Sequence, residues 1–415
     1  MSTHSNSGSR SLPERPDLSH LKHQAKDLLR AGRAASLADA QFKLAREYGF
    51  SSWPSLKAHV ESLQEVGLLK EAIDADDVER VKALMAHNPE LHRAPLGYKD
   101  NGPLTWVAEC RGVPITRDRL AIARWMIENG SDIHQGGDGP LMRAALSDDR
   151  IPMMELLFEH GADVNARWDG RYPIICAPCE TLQPNTLKWL LQHGADPNAV
   201  SDDYGSCVQM LVCTYSRNPQ GKHACLEVFA DAGYSFPDTA PMAVHRGRID
   251  LLEACLIRDP TILERRFPES HIFPAEIRVQ SRDGLHCAPL DGATLLHMAI
   301  EYHEVDTAQW LIDQGADVNA NATVDADGFG GHTPLFHTTV TLGPKTDVLA
   351  RLLLRSGADP KARATFRKQL RMTGNPNEQM VEYHNVTAIE FAAQFQEPSF
   401  VNEAAIAAIR DFGGN

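Results

Sequence analysis

A six-residue pattern, Gly-Ala-Asp-x-Asn/Lys-Ala, occurs four times and restricts the possible folds more than any other feature of the chain. The copies occupy residues 161–166, 194–199, 315–320 and 357–362. Each follows a segment with a pair of large apolar residues: Leu156-Leu157, Leu190-Leu191, Leu311-Ile312 and Leu353-Leu354. Apolar residues at helical spacing followed by glycine read as an amphipathic helix and its stop, because glycine accepts the left-handed conformation that ends a helix. Two copies are also preceded by a helix start, Thr294-Leu295-Leu296-His297 and Thr333-Pro334-Leu335-Phe336.

Helix, turn, helix, glycine stop and extended hairpin make a unit that resembles the ankyrin repeat, whose period is about 33 residues. The resemblance implies an all-α solenoid of helix-turn-helix repeats with short β-hairpin tips. A stacked array also suits the length, since each repeat contacts only its neighbours and no single oversized core is needed. The segment 45–60, with Tyr48-Gly49-Phe50-Ser51-Ser52-Trp53-Pro54, is similar to a leader on many bacterial ankyrin proteins. It reads as a helical cap over the apolar face that a terminal repeat leaves bare.

The expected organisation is a disordered tail over 1–16 and a helical cap over 17–66. Repeats one to six follow over 67–265, an inserted loop over 266–290 and repeats seven and eight over 291–364. A hairpin finger over 365–384 and a capping repeat over 385–415 complete the chain. Within the first insert, Ile277-Arg278-Val279-Gln280 reads as a strand and Ser281-Arg282-Asp283-Gly284 as a turn. Both inserts are too long for an ankyrin hairpin, and long ordered loops tend to carry function. They are expected to lean over the concave side.

The formal net charge of −14 opposes nucleic-acid binding, which needs clustered cations. No apolar run approaches the ~18 residues of a membrane-spanning helix. The polar N-terminus lacks the apolar core of a signal peptide. The eight cysteines have no disulfide-framework spacing. These features point to a cytoplasmic protein with no membrane or nucleic-acid partner.

Counting from the Thr-Pro-Leu frame, the resemblance implies which side chains face the concave groove. These are Arg171, Glu180, Tyr215, His245, Arg246, Glu301, Tyr302, His332, Tyr383 and His384. In earlier repeats Asn101, Glu109 and Asp138 occupy the same frame. A polar, solvated groove of this kind suits a protein partner, so the first reading is an interaction module. The alternative is a small-molecule-binding protein or enzyme whose pocket is roofed by 267–290 and 365–384. Its chemistry would be metal-free proton transfer or hydrolysis by an isomerase, lyase or hydrolase. Glu301 or His332 would act as base and Arg246 would hold an anionic group.

Other signals point to structure. Cys176-Ala177-Pro178-Cys179 has no second cysteine pair at zinc-site spacing and reads as buried thiols. In the ankyrin frame His297 bonds the backbone of a neighbouring hairpin. His286, Cys287, His297 and His303 do not form a ligand set on one helical face, so no metal is expected. No cofactor motif is present either: the glycines of 328–331 precede a helix without the lysine of a phosphate loop.

Overall fold

The signature glycines adopt the conformation that the sequence demands of them. In the computed structural model, φ is +96° at Gly161, +91° at Gly194, +97° at Gly315 and +95° at Gly357. After each glycine the alanine N–H turns back to the last helical turn. Ala162 donates to the Leu157 carbonyl at 3.0 Å, and Ala316 to that of Leu311 at 2.9 Å. This is the Schellman closure, which satisfies a carbonyl the helix end leaves open. The structure describes residues 10–13, 16–96, 101–109, 114–202, 205–273, 287–370 and 379–414. The strand and turn expected over 277–284 lie outside the described residues.

The chain forms two compact units, residues 1–144 with 152–163, and residues 145–151 with 164–415. In the first, the helices Leu18–Arg30, Leu37–Glu47 and Trp53–Asp74 are started by Asp17, Ser36 and Ser52, whose side chains accept backbone N–H bonds. They close over Leu21, Ala25, Ala40, Leu44, Leu56 and Val60. Phe42, between the buried Ala40 and Leu44, is 51% exposed. The helix from Trp53 runs unbroken through Gly67 to Asp74, so cap and first repeat share one element. Asn101 and Asp138, read as groove positions, are buried: the Asp138 carboxylate accepts from His134 Nδ1 at 2.6 Å and from the Asp163 N–H.

The second unit carries the helix pairs Cys176–Thr181 with Pro184–Gln192, Cys207–Val212 with Pro219–Asp231, and Ala240–His245 with Ile249–Arg258. Further along come Leu295–Glu301 with Val305–Asp313, Phe336–Thr339 with Val348–Arg355, and Ala388–Gln394 with Glu403–Asp411. Short antiparallel pairs join Arg167–Trp168 to Tyr172–Pro173 and Val200–Ser201 to Gly205–Ser206. Leu190, Leu311 and Leu353 are fully buried along the unit.

The signature asparagine ties one repeat to the next. Asn165 accepts from the Asp196 N–H at 2.8 Å and donates to the Gly194 carbonyl at 2.9 Å. Asn319 does the same with Asp359 at 2.7 Å and Gly357 at 2.9 Å. The signature aspartate closes its own turn, as Asp317 Oδ1 accepts from the Asn319 N–H at 2.8 Å. The pattern thus supplies both the helix stop and the link between repeats.

The second insert forms a two-stranded antiparallel finger, Ala364–Leu370 against Gln379–Val386, with Phe366 opposite Tyr383 and Arg367 opposite Glu382. Phe366 and Tyr383 are buried against Phe391, at ring separations of 5.0 Å and 4.9 Å. The finger is therefore anchored by aromatic packing. Of the first insert, the helix Glu269–Ile272 and a bridge from Phe267 to Ala293 are described.

Candidate functional site

The helix Leu295–Glu301 is buried at every position, and its last residue ends in a chain of charged groups. Glu301 Oε1 accepts from Arg217 Nη2 at 2.6 Å and from the Cys287 N–H at 3.1 Å. Its Oε2 faces His337 Nδ1 at 2.7 Å. The Arg217 and Glu301 side chains are each 1% exposed. Burial alone would lower the pKa of the Arg217 guanidinium, but the adjacent carboxylate outweighs it and the group ends above its ordinary range. A buried ion pair holds together only where further hydrogen bonds complete it, and here Arg217 Nη1 also donates to the Thr214 carbonyl at 2.7 Å.

A second buried set lies beside the first. Tyr302 receives Arg217 over its ring at 5.0 Å and Lys222 at 3.9 Å. Lys222 Nζ stands 3.3 Å from His245 Nδ1 and 3.8 Å from Glu304 Oε1. Glu304 Oε1 is also 2.9 Å from His223 Nε2. Burial pushes the Lys222 ammonium down to about 8, with Glu304 opposing that shift. His245 Nε2 donates to the Ile272 carbonyl at 3.1 Å, which leaves Nδ1 as an acceptor for the lysine.

Three histidines complete the region. His297 Nε2 donates to the His332 carbonyl at 3.0 Å, the hairpin bond implied by the ankyrin frame. His332 Nε2 donates to the Pro289 carbonyl at 2.9 Å and its ring lies 5.2 Å from that of Phe366. Burial holds His332 down to about 3 and keeps His297 well below the ordinary histidine range. Among the described residues, His332 Nδ1 and His337 Nε2 have no hydrogen-bond partner. No group of three or more metal-ligating side chains is assembled among the described residues.

The ten groove positions therefore divide. His245, Glu301, Tyr302, His332 and Tyr383 are buried, whereas Arg171, Tyr215 and His384 are exposed and Glu180 and Arg246 are intermediate. Each member of the acid–base trio read from the sequence has its own partner, and the Glu301 charge also reaches His332. Arg246 pairs with Glu227 at 2.7 Å, Glu301 with Arg217 and His337, and His332 with a backbone carbonyl. The physical reason is coverage: residues of both inserts, Cys287 and Pro289 from the first and Phe366 and Tyr383 from the second, pack over positions that a plain ankyrin groove leaves open. Sequence reasoning missed Arg217, Lys222 and Glu304, which carry no local signature, and assigned no role to His337, one position off the ankyrin histidine site.

Two surface features remain. Tyr215 is 52% exposed and lies within reach of the Glu180 charge. Tyr172 donates to Glu180 Oε2 at 2.9 Å, and partial burial followed by the Glu180 charge raises the Tyr215 phenol. Separately, a cleft of about 320 Å³ opens beside His332, bounded by Phe273 and Pro289 at the first insert and by Phe366 and Met380 on the finger. The cysteine pair is also resolved: Cys176 Sγ lies 2.9 Å from Cys207 Sγ in the neighbouring repeat, and both thiols are buried.

Residues 113–201 match the family described as "Ankyrin repeats (3 copies)", and residues 291–322 match "Ankyrin repeat". A "Putative ankyrin repeat protein FPV022" of fowlpox virus is 23% identical over 256 residues, 60% of this chain and 41% of the viral protein. Alpha-latrocrustotoxin-Lt1a of Latrodectus tredecimguttatus is 31% identical over 88 residues, 21% of this chain and 6% of the toxin. The chain thus spans less than half the length of either relative. The crystal structure of the human ASB11 ankyrin repeat domain aligns at 20% identity and a TM-score of 0.34, covering 66% of this chain and 98% of that domain. No helix among the described residues is long and apolar enough to cross a membrane. With its signature glycines closing helices, its asparagines linking successive repeats and its sequence matching in two separate stretches, the chain is an ankyrin-repeat protein.

Proposed function

We propose that this chain is an interaction module that holds a protein partner against the accessible part of its groove face, at Tyr215, Arg171 and Glu180. The observation that carries the reading is the exposure of Tyr215 at 52% beside an ionisable neighbour. Tyrosine and arginine are the residue types that dominate binding energy at interfaces, since they bring a large contact area and a polar end together. Arg171, exposed and next in sequence to Tyr172, adds a charged rim. His384 extends the accessible set.

A photocrosslinking amino acid at position 215 tests this in lysate of the source organism. A discrete protein adduct at 215, absent when the probe replaces the 76%-exposed Ile257, supports it. Equal adducts at both positions, or none at 215, contradict it.

A second reading, a small-molecule pocket between the inserts, is favoured by one observation: the cleft is bounded by described residues of both of them. The buried Glu301–His337 pair adds a carboxylate-oriented imidazole to that neighbourhood.

A further inference from the structure

From the 2.9 Å approach of Cys176 Sγ to Cys207 Sγ, we infer a site of reversible oxidation, where hydrogen peroxide closes a disulfide between neighbouring repeats. Cys176 opens the helix Cys176–Thr181 and Cys207 opens the helix Cys207–Val212 packed beside it, so the sulfurs meet at matching positions 31 residues apart. A disulfide bond is about 2.05 Å long, which leaves the sulfurs less than about 1 Å to close. The pairing crosses repeats and passes over the Cys-x-x-Cys neighbour. Cys179 Sγ is turned to its own helix, where it donates to the Ile175 carbonyl at 3.4 Å.

Burial selects the oxidant. Both side chains are fully buried. The Cys207 sulfur, followed by burial, holds the Cys176 thiol above its ordinary range, so the pair is inert to bulky reagents. Hydrogen peroxide is small and uncharged, and brief opening of the two-residue strands that precede these helices, Tyr172–Pro173 and Gly205–Ser206, admits it. One thiol gives up its proton and its sulfur attacks a peroxide oxygen. The O–O bond breaks, leaving a sulfenic acid and one water. The second sulfur then attacks the first, the S–O bond breaks, and a second water leaves with the remaining thiol proton. Two thiols lose two electrons and two protons, and the peroxide is reduced to water. The product fixes two first helices to each other, and a thiol reductant restores the starting pair.

The test maps the linkage in the full chain. The reduced protein is treated with hydrogen peroxide under native conditions, remaining thiols are blocked with N-ethylmaleimide in urea, and linked peptides are identified by mass spectrometry. The expected main product is a Cys176–Cys207 link, two hydrogens lighter than the dithiol and reversed by dithiothreitol. Cys179→Ser should leave that link as the main product, and Cys207→Ser should abolish it. When the chain is oxidised in urea, its share should fall, because the fold no longer holds the two sulfurs together. A main link through Cys179, or recovery of Cys176 and Cys207 as maleimide adducts or sulfinic acids, overturns the proposal. An equal share of the link in native and urea-unfolded chains also overturns it, since the fold would then not direct the pairing.

Discussion

Arg217 Nη2 donates to Glu301 Oε1 across 2.6 Å and 84 positions of sequence, and both side chains are sealed from solvent. The pair joins the link between the helices Cys207–Val212 and Pro219–Asp231 to the end of the helix Leu295–Glu301. Removing one partner strands the other charge in the interior, which costs about 3–5 kcal/mol. Arg217→Met and Glu301→Gln should each lose stability on that scale in urea unfolding. The double variant Arg217→Met/Glu301→Leu should lose markedly less than the sum of the single losses. Singles within about 0.5 kcal/mol of wild type would mean the pair is solvated.

Lys222 gives alkaline stability a definite sign. Its folded pKa is held by burial at about 8, against 10.5 for the free side chain. Between those values the unfolded chain binds the extra proton, so stability rises with pH across the window and is lost as pH falls back through about 8. Other buried groups titrate there as well, so the informative quantity is wild type minus Lys222→Met. That difference in unfolding free energy should increase from pH 8 to pH 10.5. A flat difference would contradict a buried, charge-strained lysine.

His332 acts at the acid end. With its folded pKa lowered by burial to about 3 against 6.5, the imidazole stays neutral while the unfolded chain takes up a proton. Its contribution is complete above 6.5 and is lost as pH falls toward about 3. By NMR, its ring proton shifts should stay constant between about pH 7.5 and about pH 5. A His332 midpoint near 6.5 would place it in water.

Gly161 and Gly357 test the repeat frame itself. A Cβ at either would meet nothing within 4 Å, so any cost comes from φ of +96° and +95° alone. Valine in the left-handed region is strained by about 1–2 kcal/mol, and asparagine by less. Thermal unfolding of Gly357→Val and Gly357→Asn should therefore rank Asn above Val, both below wild type. Unchanged melting of the valine variant would contradict the helix stop.

The repeats were legible because their signature is local. Glycine stop, aspartate turn and asparagine link lie within six residues, and each does a job that only a few residue types can do. The buried cluster was not legible. Its bonds span 84, 81 and 36 positions, for Arg217–Glu301, His223–Glu304 and Glu301–His337. No periodicity reports such pairings. The groove frame named Tyr215 and Arg171, which are exposed, and offered Glu301 and His332 as candidate bases. It could not show that Cys287, Pro289 and Phe366 from the two inserts cover those two residues. What a plain repeat leaves in water has become interior here.

Chemical footprinting of the histidines reaches the central claim most directly, namely that these polar side chains form a sealed internal framework and leave recognition to the exposed positions. The native protein is treated with diethylpyrocarbonate and each histidine is followed by mass spectrometry. Rapid modification of His384, with His245, His297, His332 and His337 protected until the chain is unfolded, is the expected result. Modification of His332 and His337 at the rate of His384 would contradict it.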